Sequence, residues 1–324
     1  MEFGSFCCGP VAVDLAAPSP ALCDKVAETL NLYTVVWKSL SCRVRISVAW
    51  SDQPAPMLTG TYLTCGRMHV DRVEGRVSAS CRSGAFLTSD AERVTWTLSV
   101  PQESHSGETV PEDVEDLVGL VLVTAWRDLN TVALHAGSIS RNGTCALLCA
   151  TSGGGKTTLT ASLIRRGWQT LGDDKLLLAV DGHGVSRLSA LIHNFNLHPR
   201  TEMWFPEIGD ISRLPRYSAW TEKRKVRIEA IWPGAAAFEG VPTHVLAIER
   251  SNAISDIRVA PMPKEEVLPT LLRQTVVPKD RHHAAQIMKA LAATARSVRG
   301  LRVTVGQEVY RHPDRLEALE EVLH

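Results

Sequence analysis

Between residues 24 and 110, apolar and polar positions alternate in short runs. Segments 41–50, 59–64, 68–73, 76–81 and 93–100 each follow the two-residue period of a half-buried strand, with Gly, Asp and Ser between them. The short spacing and frequent turns predict an antiparallel sheet. Residues 101–111 (PQESHSGETVP) are polar and carry two prolines, so they read as a linker. A β-rich accessory domain is therefore expected over 6–110 and a second domain over 111–324. Acidic residues at Glu112 and Asp113 open a helix whose apolar face includes Val114, Leu117, Val118, Val121 and Ala125. Beyond Asn130 the pattern becomes that of an α/β fold. Strands are predicted over 132–134, 137–140, 144–149 and 175–180, and a helix over 157–166 that ends on Arg165-Arg166-Gly167. The run Thr144 to Cys149 is apolar throughout, as suits a strand covered on both faces. Asp181-Gly182 predicts a hairpin turn into 184–188. Helices are predicted over 264–273, 282–298 and 314–323, with a strand over 301–305 between the last two.

Composition narrows the field. The chain has 324 residues, of which 44% are hydrophobic and 22% charged, which places it among folded proteins. Lys and Arg total 35 and Asp and Glu total 35, so a broad basic surface for nucleic acid is not expected. No run of 18 apolar residues predicts a membrane span. Eight cysteines are scattered without a CxxC pair, which fits reduced, mostly buried thiols and a cytoplasmic protein. Residues 1–5 (MEFGS) read as a vector-derived scar and are set aside from fold reasoning; no secretory leader is expected after them.

Ala150-Thr151-Ser152-Gly153-Gly154-Gly155-Lys156-Thr157 follows the apolar strand and precedes the amphipathic helix. That is the setting of a phosphate-binding P-loop. Consecutive glycines let backbone N–H groups converge on phosphate oxygens, and the helix adds its positive end. Lys156 is expected to reach the β- and γ-phosphates. Thr157 offers a hard oxygen to Mg²⁺. Ala150 stands where the first glycine of GxxxxGK[ST] usually sits, which is unstrained only if its φ is negative. Asp173-Asp174 follows residues 168–171, expected as a short strand beside the P-loop strand, which would bring both acids to the same rim. One carboxylate could hold Mg²⁺ and the other accept a proton from an attacking hydroxyl, helped by like-charge crowding that raises one pKa. Alone, such a pair is also an ordinary acidic turn. His135, after the strand 132–134, is by itself ordinarily a structural residue.

Together these pieces resemble one family. His135, Ser152-Gly153-Gly154-Gly155-Lys156-Thr157, Arg166-Gly167 and Asp173-Asp174 are similar, without gaps over 40 residues, to the core of HPr kinase/phosphorylase. That core is itself similar to ATP-dependent phosphoenolpyruvate carboxykinase. The resemblance implies a P-loop kinase fold with ATP and Mg²⁺ as cofactors. It places nucleotide phosphates on Ser152 to Thr158, including Gly153, Gly154, Gly155 and Lys156, and the metal at Thr157 and Asp174. Asp173 becomes the base and His135 a neighbour of the γ-phosphate, with the division of labour between the aspartates left open. Thr158 stands where those enzymes carry an acidic residue, and the second signature that serves their protein substrate has no clear copy after Asp174. The chain looks closer to HPr-kinase-like proteins found beside peptide natural-product genes, some of which phosphorylate a serine or the tail of a precursor peptide.

The resemblance therefore implies γ-phosphoryl transfer from ATP to a hydroxyl, foremost a serine of a peptide or protein. A small-molecule kinase acting on an amino acid or sugar is one alternative; a non-catalytic nucleotide-binding regulator or peptide-recognition module is another. Reversal by phosphate and a homo-oligomer are both within the family's range. A basic run, Thr221 to Arg227, offers Lys223 and Lys225 as contacts to substrate or phosphate, following Arg200, Arg213 and Arg216; a solvated strand edge is the plainer reading. Trp204, Phe205, Trp220 and Trp232 read as packing residues, with an aromatic wall near a base as the other use.

Overall fold

The computed structural model describes residues 1–34, 40–53, 55–56, 58, 63–65, 68–102, 110–191, 194–217 and 221–324. The chain divides into two compact units. The first comprises Met1–Thr131 with Val277–Gln286, and the second Val132–Val276 with Ile287–His324. Among the described residues no helix is long and apolar enough to cross a membrane.

The first unit holds β1 (Glu2–Cys8), β2 (Val11–Ala17), α1 (Pro20–Leu32), β3 (Cys42–Ser51), β4 (Leu63–Cys65), β5 (Met68–Val73), β6 (Arg76–Cys81), β7 (Phe86–Ser89), β8 (Thr95–Pro101) and α2 (Val114–Asp128). The strands form one sheet in the order β1-β2-β3-β8-β7-β6-β5-β4. It is mixed rather than antiparallel, because β3 runs parallel to both β2 and β8. A parallel step between consecutive strands needs a crossover, and α1 supplies it between β2 and β3. That helix falls partly in the stretch read as strands. Its buried Leu22, Val26, Thr29 and Leu30 recur at helical spacing, and Pro20 opens it. Residues 1–5, set aside as a scar, pair in register with β2 from Glu2 onward. Part of the expected strand over 59–64 and most of the expected linker lie outside the described residues, and α2 groups with this unit rather than with the second. The returning segment is fixed by charge. His283 lies between Asp128 (3.1 Å) and Asp280 (3.3 Å), while Arg93 and Arg72 pair with those same carboxylates.

The second unit holds β9 (Val132–Leu134), β10 (Gly137–Arg141), β11 (Thr144–Cys149), α3 (Lys156–Ile164), β12 (Leu176–Val180), β13 (Ser186–Ala190), β14 (Asn194–Leu197), β15 (Arg224–Arg227), α4 (Ile228–Ile231), β16 (Glu239–Gly240), β17 (His244–Arg250), β18 (Ile257–Pro261), α5 (Lys264–Leu272), most of α6 (Arg281–Ser297), β19 (Arg299–Val305) and α7 (Glu317–Leu323). The central sheet runs β10-β11-β17-β19-β18, with β11, β17 and β19 parallel. Cys145, Leu147 and Cys149 of β11 enter the core shared with α5 and α6, and Ala146 and Leu148 the core beneath α3 and α7. The strand is thus covered on both faces, which accounts for its unbroken apolar run. Burial pushes the Cys149 thiol up to about 12. A second, antiparallel sheet runs β16-β13-β12-β9, and β14 pairs with β15 as a two-stranded ribbon.

Residues 168–171 do not form a strand beside β11, whose partners are β10 and β17. Gln169 bridges Ser140 at the end of β10, and Thr170 bridges Ala236. Side-chain bonds hold the segment there: Thr170 Oγ1 donates to the Ser138 carbonyl at 2.7 Å, and Leu171 N donates to Ser138 Oγ at 2.9 Å.

Glu320 of α7 ties this region down. Its carboxylate is 7% exposed and accepts from Trp168 Nε1 at 2.7 Å and Arg166 Nε at 2.7 Å, with Arg141 at 3.2 Å. Burial alone would raise its pKa, but the bonds from Arg166 and Trp168 outweigh that and lower it. Replacing Glu320 by Ala leaves the buried indole N–H of Trp168 without its acceptor and takes the shared carboxylate from Arg166 and Arg141, and is expected to cost about 2 kcal/mol of stability in denaturant unfolding. A lowered carboxyl stabilises above its unfolded pKa, and the benefit disappears as pH falls through the folded value. The gap between wild type and Glu320→Gln is therefore expected to narrow as pH falls below the ordinary glutamate pKa.

Candidate active site

The glycine-rich loop leaves the carboxyl end of β11 and enters α3. Gly155, at the helix N-cap, has φ +96°, a left-handed backbone that L side chains rarely adopt. A Cβ there would lie 3.0 Å from Tyr310 Oη and 3.1 Å from Arg250 Cδ. Ala150 is not among the positive-φ residues, so alanine at this position carries no backbone strain. Lys156 folds back over the loop and donates from Nζ to the Ala150 carbonyl at 3.0 Å. It is only 7% exposed, and this burial lowers its pKa, partly countered by Asp174 and Asp173.

The acids arrive from the second sheet. Leu134 at the end of β9 pairs with Leu176 at the start of β12. His135 and Asp174 lie just beyond that pair, and His135 Nδ1 sits 3.0 Å from Asp174 Oδ1. Burial would raise the Asp174 pKa, but the His135 bond, with Lys175 and Lys156, brings it below the ordinary value. Asp173 differs. It is 2% exposed, and burial, followed by the charge of Asp174, pushes its pKa up to about 7 against a hydrogen bond from Thr157. Its Oδ2 has no hydrogen-bond partner among the described residues. Two adjacent carboxyls are thus held in opposite protonation regimes.

These groups border a cleft of about 440 Å³. Thr151 to Thr158 form one side, with His135 and Asp174 beside them; Asn196, His198, Arg200, Trp204, Lys223 and Arg250 also line it. Asn196 lies on β14, and Lys223 directly precedes its partner strand β15. Every nucleotide-loop residue expected from the sequence, with His135, Asp174 and Lys223, meets at this cleft, and Asp173 is buried against Thr157. Lys225 is not among the lining residues: it lies on β15 opposite Asn196. Arg213 pairs with Asp210 at 2.8 Å. Phe205 is buried, Trp232 Nε1 donates to Glu207 at 3.2 Å, and Trp220 lies outside the described residues.

Sequence reasoning missed Arg250, His198, Asn196 and Tyr310. Arg250 had a readable signal, since Val245-Leu246-Ala247-Ile248 is an apolar run whose strand lies parallel to β11, and its charged end must reach the same rim. Asn196 lies on the short strand β14 and His198 just after it, while Tyr310 lies in a 3₁₀ turn, and none of these carries a periodic cue of its own.

No protein-family model matches the chain, and no curated protein does. Among solved structures, the chain is similar to an Hpr(Ser) kinase/phosphatase from Coxiella burnetii with a TM-score of 0.32 and 10% sequence identity, over 59% of this chain and 94% of that one.

The buried Asp173 makes a stability prediction with a definite sign. Its folded pKa is raised, so ionising it costs stability as pH climbs from 3.8 to about 7, and the cost is absent below that window. Asp173→Asn is expected to be more stable than wild type at pH 8, by up to about 4 kcal/mol, and equal to it near pH 4. Chemical denaturation at the two pH values measures this. Gly155→Ala is expected to destabilise by about 1–3 kcal/mol, read as a lower melting temperature.

Proposed function

We infer that the chain is an ATP- and Mg²⁺-dependent phosphotransferase, an HPr-kinase-like P-loop enzyme that moves the γ-phosphoryl group to a hydroxyl. The observation that carries this is Asp173: a fully buried carboxyl tuned to about 7, bonded to Thr157 at the start of α3, one residue from the lysine of a glycine-rich loop. In this reading the amides of Ser152 to Thr158 cradle the phosphates, and Lys156 leaves the Ala150 carbonyl to meet them.

The donor set fits magnesium. Thr157 supplies a hydroxyl and Asp174 a carboxylate held ionised. Magnesium at a nucleotide is commonly held by one or two protein oxygens and completed by the phosphates. Magnesium, when bound, neutralises charge on the β- and γ-phosphate oxygens. Thr157 and Asp174 would hold it, while His135 fixes the orientation of Asp174. Asp173 takes the proton from the acceptor hydroxyl as its oxygen attacks the γ-phosphorus in line, and the bond to the leaving ADP oxygen breaks. A pKa near neutrality lets one carboxyl accept that proton and release it again. Lys223, which acts on both Lys156 and Asp173 electrostatically, sits where it would offset charge on the transferred group.

The acceptor in this reading is a serine of a peptide or protein. An amino acid or sugar acceptor keeps the same chemistry, and mass spectrometry of candidate acceptors, reading the gain of one phosphate, separates the two. Lys156→Ala is expected to abolish transfer. Asp173→Asn is expected to lower kcat by about 100-fold or more. The wild-type rate should fall as pH drops through about 7, as Asp173 becomes protonated. ATP binding by a protein in which Asp173→Asn transfers phosphate at the wild-type rate would contradict the role of this residue and favour another base.

A further inference from the structure

The groups around the acids are His135, Lys156, Thr157 and Lys223, and they account for only part of the cleft. Another part of its wall is built differently. Tyr310 and Arg250 reach the glycine loop at Gly155, the residue before Lys156. Trp204 lines the cleft, and its ring centroid lies 5.0 Å from that of Tyr310 at an interplanar angle of 37°. Among the described lining residues it is the only phenyl, phenol or indole ring.

This aromatic face is firmly held. Trp204 ends a short 3₁₀ helix (Pro199–Trp204) and packs against two apolar clusters, one beneath α3 and one on the β14–β15 ribbon. Its carbonyl accepts from Arg165 Nη1 at 2.8 Å, at the carboxyl end of α3, and Arg165 also pairs with Glu207 at 2.9 Å. The helix that begins at the glycine loop therefore positions the tryptophan as well. Its indole N–H is buried with no partner among the described residues, so packing rather than a polar contact fixes the ring. The Arg250 side chain is exposed at the cleft and forms no ion pair among the described residues.

We propose that Trp204, backed by Tyr310 and bordered by Arg250, is the face on which the base of the bound nucleotide stacks. This rests on the nucleotide reading of the loop. With the γ-phosphate at the acids, the phosphate chain runs along the loop amides, and the base must find another wall of the same cleft. A rigid indole supplies large contact area with little entropy to lose, and every base offers a π-face to it. Arg250 lies beside the loop, where it can meet phosphate or ribose oxygens.

The test compares MgATP with magnesium tripolyphosphate, which has the phosphates and no base, by calorimetry. Wild-type protein is expected to bind MgATP about tenfold or more tighter than tripolyphosphate. Trp204→Ala should weaken MgATP by about tenfold and leave tripolyphosphate within about twofold, while Trp204→Phe should retain most of the preference. Lys156→Ala should weaken both. Equal affinity of the wild-type protein for the two ligands overturns the stacking face and leaves the phosphate cradle standing, as does a Trp204→Ala protein that loses both equally or neither. Wild-type protein that binds neither ligand overturns the stacking face and the nucleotide reading together. The wild-type comparison and Trp204→Phe keep the test decisive if Trp204→Ala fails to fold.

Discussion

One carboxyl group kept out of water beside another sets the character of this site. Asp173 is 2% exposed, next in sequence to Asp174, and has one oxygen without a partner. Raising its pKa from 3.8 to about 7 corresponds to roughly 4 kcal/mol of disfavoured charge. A fold tolerates that only where surrounding structure over-determines the position. Here the β9–β12 pairing fixes the chain on one side, the Ser138–Thr170–Leu171 bonds on the other, and Thr157 hydrogen-bonds the carboxyl while Oδ2 stays unpartnered.

The neighbouring acid shows how a small difference in surroundings reverses the outcome. Asp174 is one residue away and also largely desolvated, yet His135 at 3.0 Å and two lysines keep it ionised. The two carboxyls differ in what they face: Asp174 lies against the imidazole of His135, and Asp173 against the hydroxyl of Thr157. The buried Lys156 is satisfied locally, since its ammonium donates to a carbonyl of its own loop, that of Ala150.

Much of the site could be read from the chain because its parts are local. A strand, a glycine run and a helix within 20 residues carry their own periodic and turn signals, and the acids follow at short range. What escaped reading came from distant or irregular segments. Arg250 arrives through strand β17, and Tyr310 through a 3₁₀ turn that has no apolar period. In the first unit, strand positions 68–73 and 76–81 coincide with observed strands, because alternation reports a half-buried sheet directly. Alternation does not encode direction, so the parallel placement of β3 was invisible, and α1 was hidden inside a stretch whose turn residues favoured strands. The expected strand over 168–171 failed because two hydroxyls, Ser138 and Thr170, capture the backbone first.

Asp173 and Asp174 titrate in separate regimes beside the glycine loop. Infrared difference spectra of the carboxyl C=O band, wild type against Asp173→Asn, test it most directly. The account predicts a protonated carboxyl band that disappears with a midpoint near 7 and is missing from Asp173→Asn. Carboxyl bands that all vanish below about pH 5, with no difference between the two proteins, would contradict it.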